Sequence, residues 1–155
     1  MIAEIKQGGC ISLRNAEPGD LPAVVSLLEQ ARLPTAGVAE ALPHFLVAES
    51  GDRVVGVAGL ELYDRSALLR SVAVDPSWRG TGVGRVLVER ALETTKAHGI
   101  PDVFLLTTTA EHYFPRFGFV CVNRDAVAED VKASPEFQGA CPASAIVMRK
   151  TLATK

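Results

Sequence analysis

The chain is 155 residues long, 48% hydrophobic and 22% charged, with a net charge of −2, which suits one globular domain over 1–155 that buries about two thirds of its unfolded surface. No apolar run nears the roughly 18 residues of a membrane span, residues 1–10 lack a signal-peptide apolar stretch, and the dispersed basic residues leave no nucleic-acid footprint. The three cysteines, Cys10, Cys121 and Cys141, form no Cys-x-x-Cys pair, which argues against zinc and a disulfide framework and for a reducing, cytoplasmic setting with a small-molecule partner.

Ile11-Ser12-Leu13-Arg14 alternates as a short strand. Pro18 and Asp20 open a helix through about residue 31, with Leu21, Val24, Val25 and Leu28 as its inward stripe. Pro34 breaks this pattern, and a short second helix over 38–42 precedes Pro43. Residues 44–49 and 53–63 read as strands joined by the turn-forming Ser50-Gly51-Asp52, and a third strand over 67–74 completes a meander. Both faces of the last two strands are largely apolar, as in central strands covered by helices on each side. A long helix follows over 82–98, with Val83, Leu87, Val88, Ala91 and Leu92 on one stripe, Arg85, Glu89, Glu93 and Lys96 outside it, and Gly99 and Pro101 as its stop. Beyond it lie a buried strand over 103–107, a short helix over 110–117, a turn back into a strand at Gly118-Phe119-Val120, a helix over 125–134 and a last strand over 144–149.

The most informative stretch is Val72-Ala73-Val74-Asp75-Pro76-Ser77-Trp78-Arg79-Gly80-Thr81-Gly82-Val83-Gly84, where a β-branched run enters a helix through glycines behind an arginine. A helix N-terminus leaves about four amides unpaired and carries about half a positive charge, so a loop without side chains lets a phosphate approach the backbone. The spacing excludes two phosphate-binding answers. A P-loop requires Gly-x-x-x-x-Gly-Lys-Ser/Thr, and a dinucleotide fingerprint from Gly80 requires Gly or Ala at 85, where this chain has Arg85.

Arg79-x-x-Gly82-x-Gly84, between that strand and that helix, resembles the GNAT acetyltransferases. The resemblance spans about residues 11–152. It implies an α/β (α+β) GNAT fold, with a mixed sheet of about seven strands, helices on both faces and the order β-α-α-β-β-β-α-β-α-β-β. It also implies acetyl-CoA as co-substrate, no metal, and room for a homodimer. Val72, Ala73 and Val74 would pair with the pantetheine arm and polarise the thioester; Arg79, Gly80, Thr81, Gly82, Val83 and Gly84 would hold the pyrophosphate; Thr108 and Phe114 would line the cofactor.

Acetyl transfer to an amine requires a neutral amine, a polarised carbonyl and a proton for the departing thiolate. Arg70 and Ser71 stand where some relatives carry acidic residues, which moves the general base to Glu61. The family's usual acid is a tyrosine four residues ahead of the glycine at 118; this chain has Phe114 there and Tyr113 one position earlier. One residue turns a helical side chain by about 100°, so Tyr113 is the candidate acid only with a changed direction.

Residues 105–119, Leu-Leu-Thr-Thr-Thr-Ala-Glu-His-Tyr-Phe-Pro-Arg-Phe-Gly-Phe, are similar to the matching piece of N-acetylglutamate synthase. Leu33-Pro34-Thr35-Ala36-Gly37-Val38, Leu42-Pro43-His44-Phe45, Leu68-Leu69-Arg70-Ser71 and Cys141-Pro142-Ala143-Ser144 resemble the ArsN-type arsenic-resistance N-acetyltransferases. An amino-acid-like acceptor needs an anion clamp, for which Arg70 is the candidate, with Ser71 and Thr107 supplying hydroxyls. A sheet salt bridge from Arg70 to Glu61 is the competing reading of that arginine. Two other functions stay open: a protein or peptide N-acetyltransferase, and an acyl-CoA sensor without catalysis.

Overall fold

A computed structural model describes residues 2–4, 10–140 and 144–152. Eight strands, β1 (Ile2–Glu4), β2 (Cys10–Asn15), β3 (Leu46–Ser50), β4 (Arg53–Leu62), β5 (Ser66–Val74), β6 (Asp102–Thr107), β7 (Val120–Val122) and β8 (Ile146–Thr151), form one sheet in the order β1-β2-β3-β4-β5-β6-β8-β7. Neighbours are antiparallel except β5 and β6, which run parallel. The mixed GNAT-type sheet expected from the sequence is present. Its additional edge strand, β1, is three residues long and too short to display an alternation.

The helices are α1 (Leu21–Gln30), α2 (Val38–Ala41), α3 (Val83–Ala97) and α4 (Glu129–Lys132). Period-two alternation divides the core between the two faces of the sheet. On one face Leu46, Ala48, Val55, Leu60 and Leu69 meet Val83, Leu87, Val88 and Ala91 of α3. On the other, Val47, Val57 and Ala73 meet Val24, Leu27 and Leu28 of α1, together with Phe45 and Val38. α3 lies so close on β4 that a Cβ at Gly56 would stand 2.9 Å from both Leu87 and Val83. Gly56 thereby sets the depth at which the start of α3 sits.

Three expected elements differ in form. Pro43 draws residues 42–44 into a 3-10 turn, so the strand expected from 44 begins at Leu46. The helix expected over 110–117 is a turn followed by a 3-10 helix, Phe114–Phe117, because Pro115 lacks an amide donor and Gly118, at φ 95°, ends it in the left-handed region. The helix expected over 125–134 is a 3-10 turn, Arg124–Ala126, and then the single turn of α4. No helix among the described residues is long and apolar enough to cross a membrane. Cys141, Pro142 and Ala143 lie outside the described residues.

Candidate active site

β5 and β6 are paired only from Ser66 to Leu68, opposite Asp102 to Phe104. Past Leu68 they part, and a bulge in β5 accompanies the parting. Val57 faces Ala73 and Gly59 faces Arg70, so Ser71 and Val72 share one partner position, that of Ala58. Ser71 takes up the extra residue at φ 59°, a left-handed conformation that costs a non-glycine residue about 1–2 kcal/mol. The β6-facing backbone groups of residues 69–74 therefore have no strand partner. They border a cavity of about 1250 Å³ between residues 69–74 and 105–110, roofed by residues 79–85 and reaching residues 31–34.

Local hydrogen bonds shape the phosphate-loop end. Asp75 accepts from the Ser77 amide at 2.9 Å, the Ser77 hydroxyl at 2.6 Å and Arg53 at 2.6 Å. The Ser77 hydroxyl, its amide and the Arg53 guanidinium hold this carboxyl below the usual carboxylate range. The Thr81 hydroxyl donates to the Trp78 carbonyl at 2.5 Å and closes the loop. Gly82 caps α3 at φ 102°, where a side chain would be strained. The Val86 amide bonds back to Gly82, which leaves the amides of Val83, Gly84 and Arg85 without intrahelical acceptors. Arg79 and Arg85 stand exposed beside them. Val72, Ala73, Val74, residues 79–84, Thr108 and Phe114, the expected cofactor contacts, all line this one cavity.

At the other end the arrangement departs from expectation. Arg70 lines the cavity but its side chain is 0% exposed, with Nη1 2.8 Å from Glu61, Nε 2.9 Å from the Ser71 hydroxyl and 3.5 Å from Glu136, and Nη2 3.4 Å from the Pro34 carbonyl. The salt bridge to Glu61 is thus present. Glu61, expected as the base, does not line the main cavity; it faces a smaller groove of about 410 Å³ with Tyr63, Glu40 and His44. Its carboxylate accepts from Arg70 and, at 2.6 Å, from the Tyr63 hydroxyl. That double engagement occupies the oxygens a base would use. Burial and this carboxylate push the Tyr63 phenol far up. The Thr107 hydroxyl, expected to meet substrate, accepts from the Ala110 amide at 2.8 Å and braces the turn after β6.

Two charged residues that the sequence did not mark also line the cavity. Arg32 follows α1 at φ 58°, where the Arg32 amide bonds to the Glu29 carbonyl at 3.1 Å and the Leu33 amide to the Leu28 carbonyl at 2.9 Å. That pairing makes the left-handed helix stop at which glycine is usual. Its exposed guanidinium lines the cavity and has no ion-pair partner among the described residues. The legible signal was a helix ending in arginine without glycine. Glu136, 4% exposed, is the one carboxylate of the cavity wall among the described residues. Nothing in the periodicity marks it, since it follows Pro135 after α4 and reaches the site only through tertiary packing.

Phe114, 7% exposed, packs edge-on to Phe119 at 5.8 Å and has no proton to give. Tyr113 points instead toward α3, where a Cβ at Gly84 would lie 3.4 Å from its hydroxyl. Burial pushes its phenol up, against the nearby charges of Arg116 and Arg85. The one-residue displacement seen in the sequence is therefore a change of direction.

Residues 41–121 match the family model for an acetyltransferase (GNAT) domain. An amino-acid acetyltransferase of Mycobacterium tuberculosis is 33% identical over 131 residues, spanning 77% of this chain and 74% of that protein. A Mycobacterium tuberculosis structure in complex with CoA superposes with a TM-score of 0.78 at 26% identity, over 92% of this chain and 99% of that one. The fold is also that of N-acetylglutamate synthase from Neisseria gonorrhoeae, complexed with coenzyme A and N-acetyl-glutamate: TM-score 0.80, 21% identity, 92% of this chain but only 35% of the synthase. With a family model matched over half of its length and the mycobacterial relative at 33% identity, the chain belongs to the GNAT acetyltransferases and is an N-acetyltransferase.

Proposed function

We propose that the chain transfers the acetyl group of acetyl-CoA to the amine of a small amino-acid-like acceptor in the cytoplasm. The observation that carries this is the stretch of cavity wall at residues 31–34, where Arg32 is an exposed cation with no ion-pair partner among the described residues. Such a cation complements an acceptor with an anionic group beside an amine, because the guanidinium makes a two-pronged contact with the anion. The mycobacterial relative, named an amino-acid acetyltransferase, supports the same class. Amino-acid analogues with an arsenic or phosphorus oxyacid satisfy this chemistry as carboxylates do, in line with the resemblance to ArsN-type enzymes. Arg70, neutralised by two carboxylates, positions the wall behind the acceptor and fixes the Ser71 bulge.

Most of the catalysis is positioning of two substrates within one cleft. The amine nitrogen attacks the thioester carbon, and backbone amides released from the ladder near Ser71 and Val72 receive the charge on the carbonyl oxygen. The carbon–sulfur bond then breaks. The amine's surplus proton leaves through water, and water protonates the thiolate, because Phe114 carries no ionisable group at the family's tyrosine position. The test is thiol release from acetyl-CoA over a panel of amino acids, their arsenic and phosphorus analogues, and lysine-bearing peptides. Turnover on free amino acids or the oxyacid analogues is expected. Turnover confined to peptides, or CoA binding with no turnover on any amine, overturns the proposal.

A further inference from the structure

Tyr113 and Phe114 adjoin in sequence and meet edge-on at 5.2 Å, yet their far sides face different surroundings. Phe114 enters the core, whereas Tyr113 lays its ring edge-on to Phe117 at 5.4 Å and against the Arg116 guanidinium at 4.5 Å. This packing carries the phenol to the second residue of α3, Gly84, where an added Cβ would lie 3.4 Å from the oxygen. Gly84 is among the three amides of that turn with no intrahelical acceptor. Tyr113 borders the cavity, and its hydroxyl has no hydrogen-bond partner among the described residues. Arg116 from its own turn and Arg85 and Glu89 from α3 are the charges that bear on it. Two cations against one anion favour a negatively charged ligand group there.

We propose that Tyr113 is a cofactor-binding residue, whose phenol donates a hydrogen bond to a pyrophosphate oxygen of acetyl-CoA on the first turn of α3, and that it is not the acid for the departing thiolate. The proposal rests on α3 being the coenzyme A seat. A phosphate held by the amides of Gly84 and its neighbours comes within reach of a phenol already beside Gly84. Arg32, proposed to hold the acceptor's anion, is not among the charges that bear on the phenol. A phenol donating to an ionised oxygen makes the stronger, charge-assisted kind of hydrogen bond, and needs to stay protonated, which its burial favours. Glycine at 84 belongs to the same arrangement, since a methyl there would occupy the space between amide, hydroxyl and ligand.

The single tryptophan, Trp78, precedes Arg79, so its emission reports loop occupancy without a label. The experiment titrates wild type and Tyr113→Phe with CoA and with pantetheine, which lacks the phosphates, and records both melting temperatures. Wild type should bind CoA far more tightly than pantetheine. The variant should lose about tenfold in CoA affinity, the size of one charge-assisted bond, with pantetheine affinity and melting temperature unchanged. Equal losses for both ligands, or no loss for CoA, overturn the assignment of Tyr113 while leaving the seat intact. A wild-type chain that binds CoA no more tightly than pantetheine removes the seat, and the proposal with it.

Discussion

Arginine at a left-handed helix stop is an unfavourable choice for folding. Glycine adopts φ near 60° without steric cost, whereas a side chain there gives up about 1 kcal/mol. Arg32 sits at φ 58° with both reverse-turn hydrogen bonds formed, so the geometry suits glycine and the guanidinium serves something else. Arg32→Gly is therefore expected to raise the melting temperature by a few degrees and to raise KM for an anionic acceptor at least tenfold, with CoA affinity nearly unchanged. Thermal unfolding and steady-state kinetics on the same preparation check it, and a variant that is more stable and equally active sinks the clamp role. Arg70 illustrates the opposite case. Its chemistry fits an anion clamp, yet Glu61 and Glu136 already supply its anions, and a buried arginine with two carboxylates is costly to remove because both are left uncompensated.

At the scale of elements, the loop before α3 depends on Asp75, which joins β5 to the 3-10 turn Pro76–Trp78 and bonds across to Arg53 of β4. Its carboxyl titrates below the unfolded value of about 3.9. The native state thus binds this proton more weakly than the unfolded state. Its contribution is fully present above about pH 4 and is lost as pH falls through the lowered native value. Asp75→Asn should accordingly lower the melting temperature near pH 7, a cap loss being worth about 1 kcal/mol, and the gap from wild type should close as pH drops below 4. Melting curves at pH 7, 5, 4 and 3 test this; a gap independent of pH would assign the loss to packing.

For the whole molecule, the sheet is continuous from β1 to β5 and parts between β5 and β6 past Leu68, and the split is where a ligand's backbone can replace a strand. Amides of residues 69–74 that face the gap lack the ladder protection of their neighbours in β4. Hydrogen exchange followed by mass spectrometry should show faster exchange in that segment than in residues 54–58, and slowing on addition of CoA that extends to residues 82–86. Protection absent from both segments would place the cofactor elsewhere.

Local pattern sufficed for much of this. The loop from Arg79 to Gly84, the inward stripe of α3 and the meander strands are consecutive or periodic in the chain, so the residues that cause them lie within a few positions of one another. The charged wall of the cavity is different, because it gathers a helix stop at 32, a strand residue at 70 and a post-helical residue at 136, and no period links them. Glu61 and Tyr113 show why even correctly chosen residue types can mislead: a bulge, an ion pair and a proline-shortened turn determine which way each side chain faces. By itself the sequence determined the family, the sheet and the glycine-rich entry to α3, because strand alternation, helix stripes and a side-chain-free helix start are local physics. Only the tertiary structure decided which charges are spent on each other and which face the cavity, because pairing depends on packing between elements far apart in the chain.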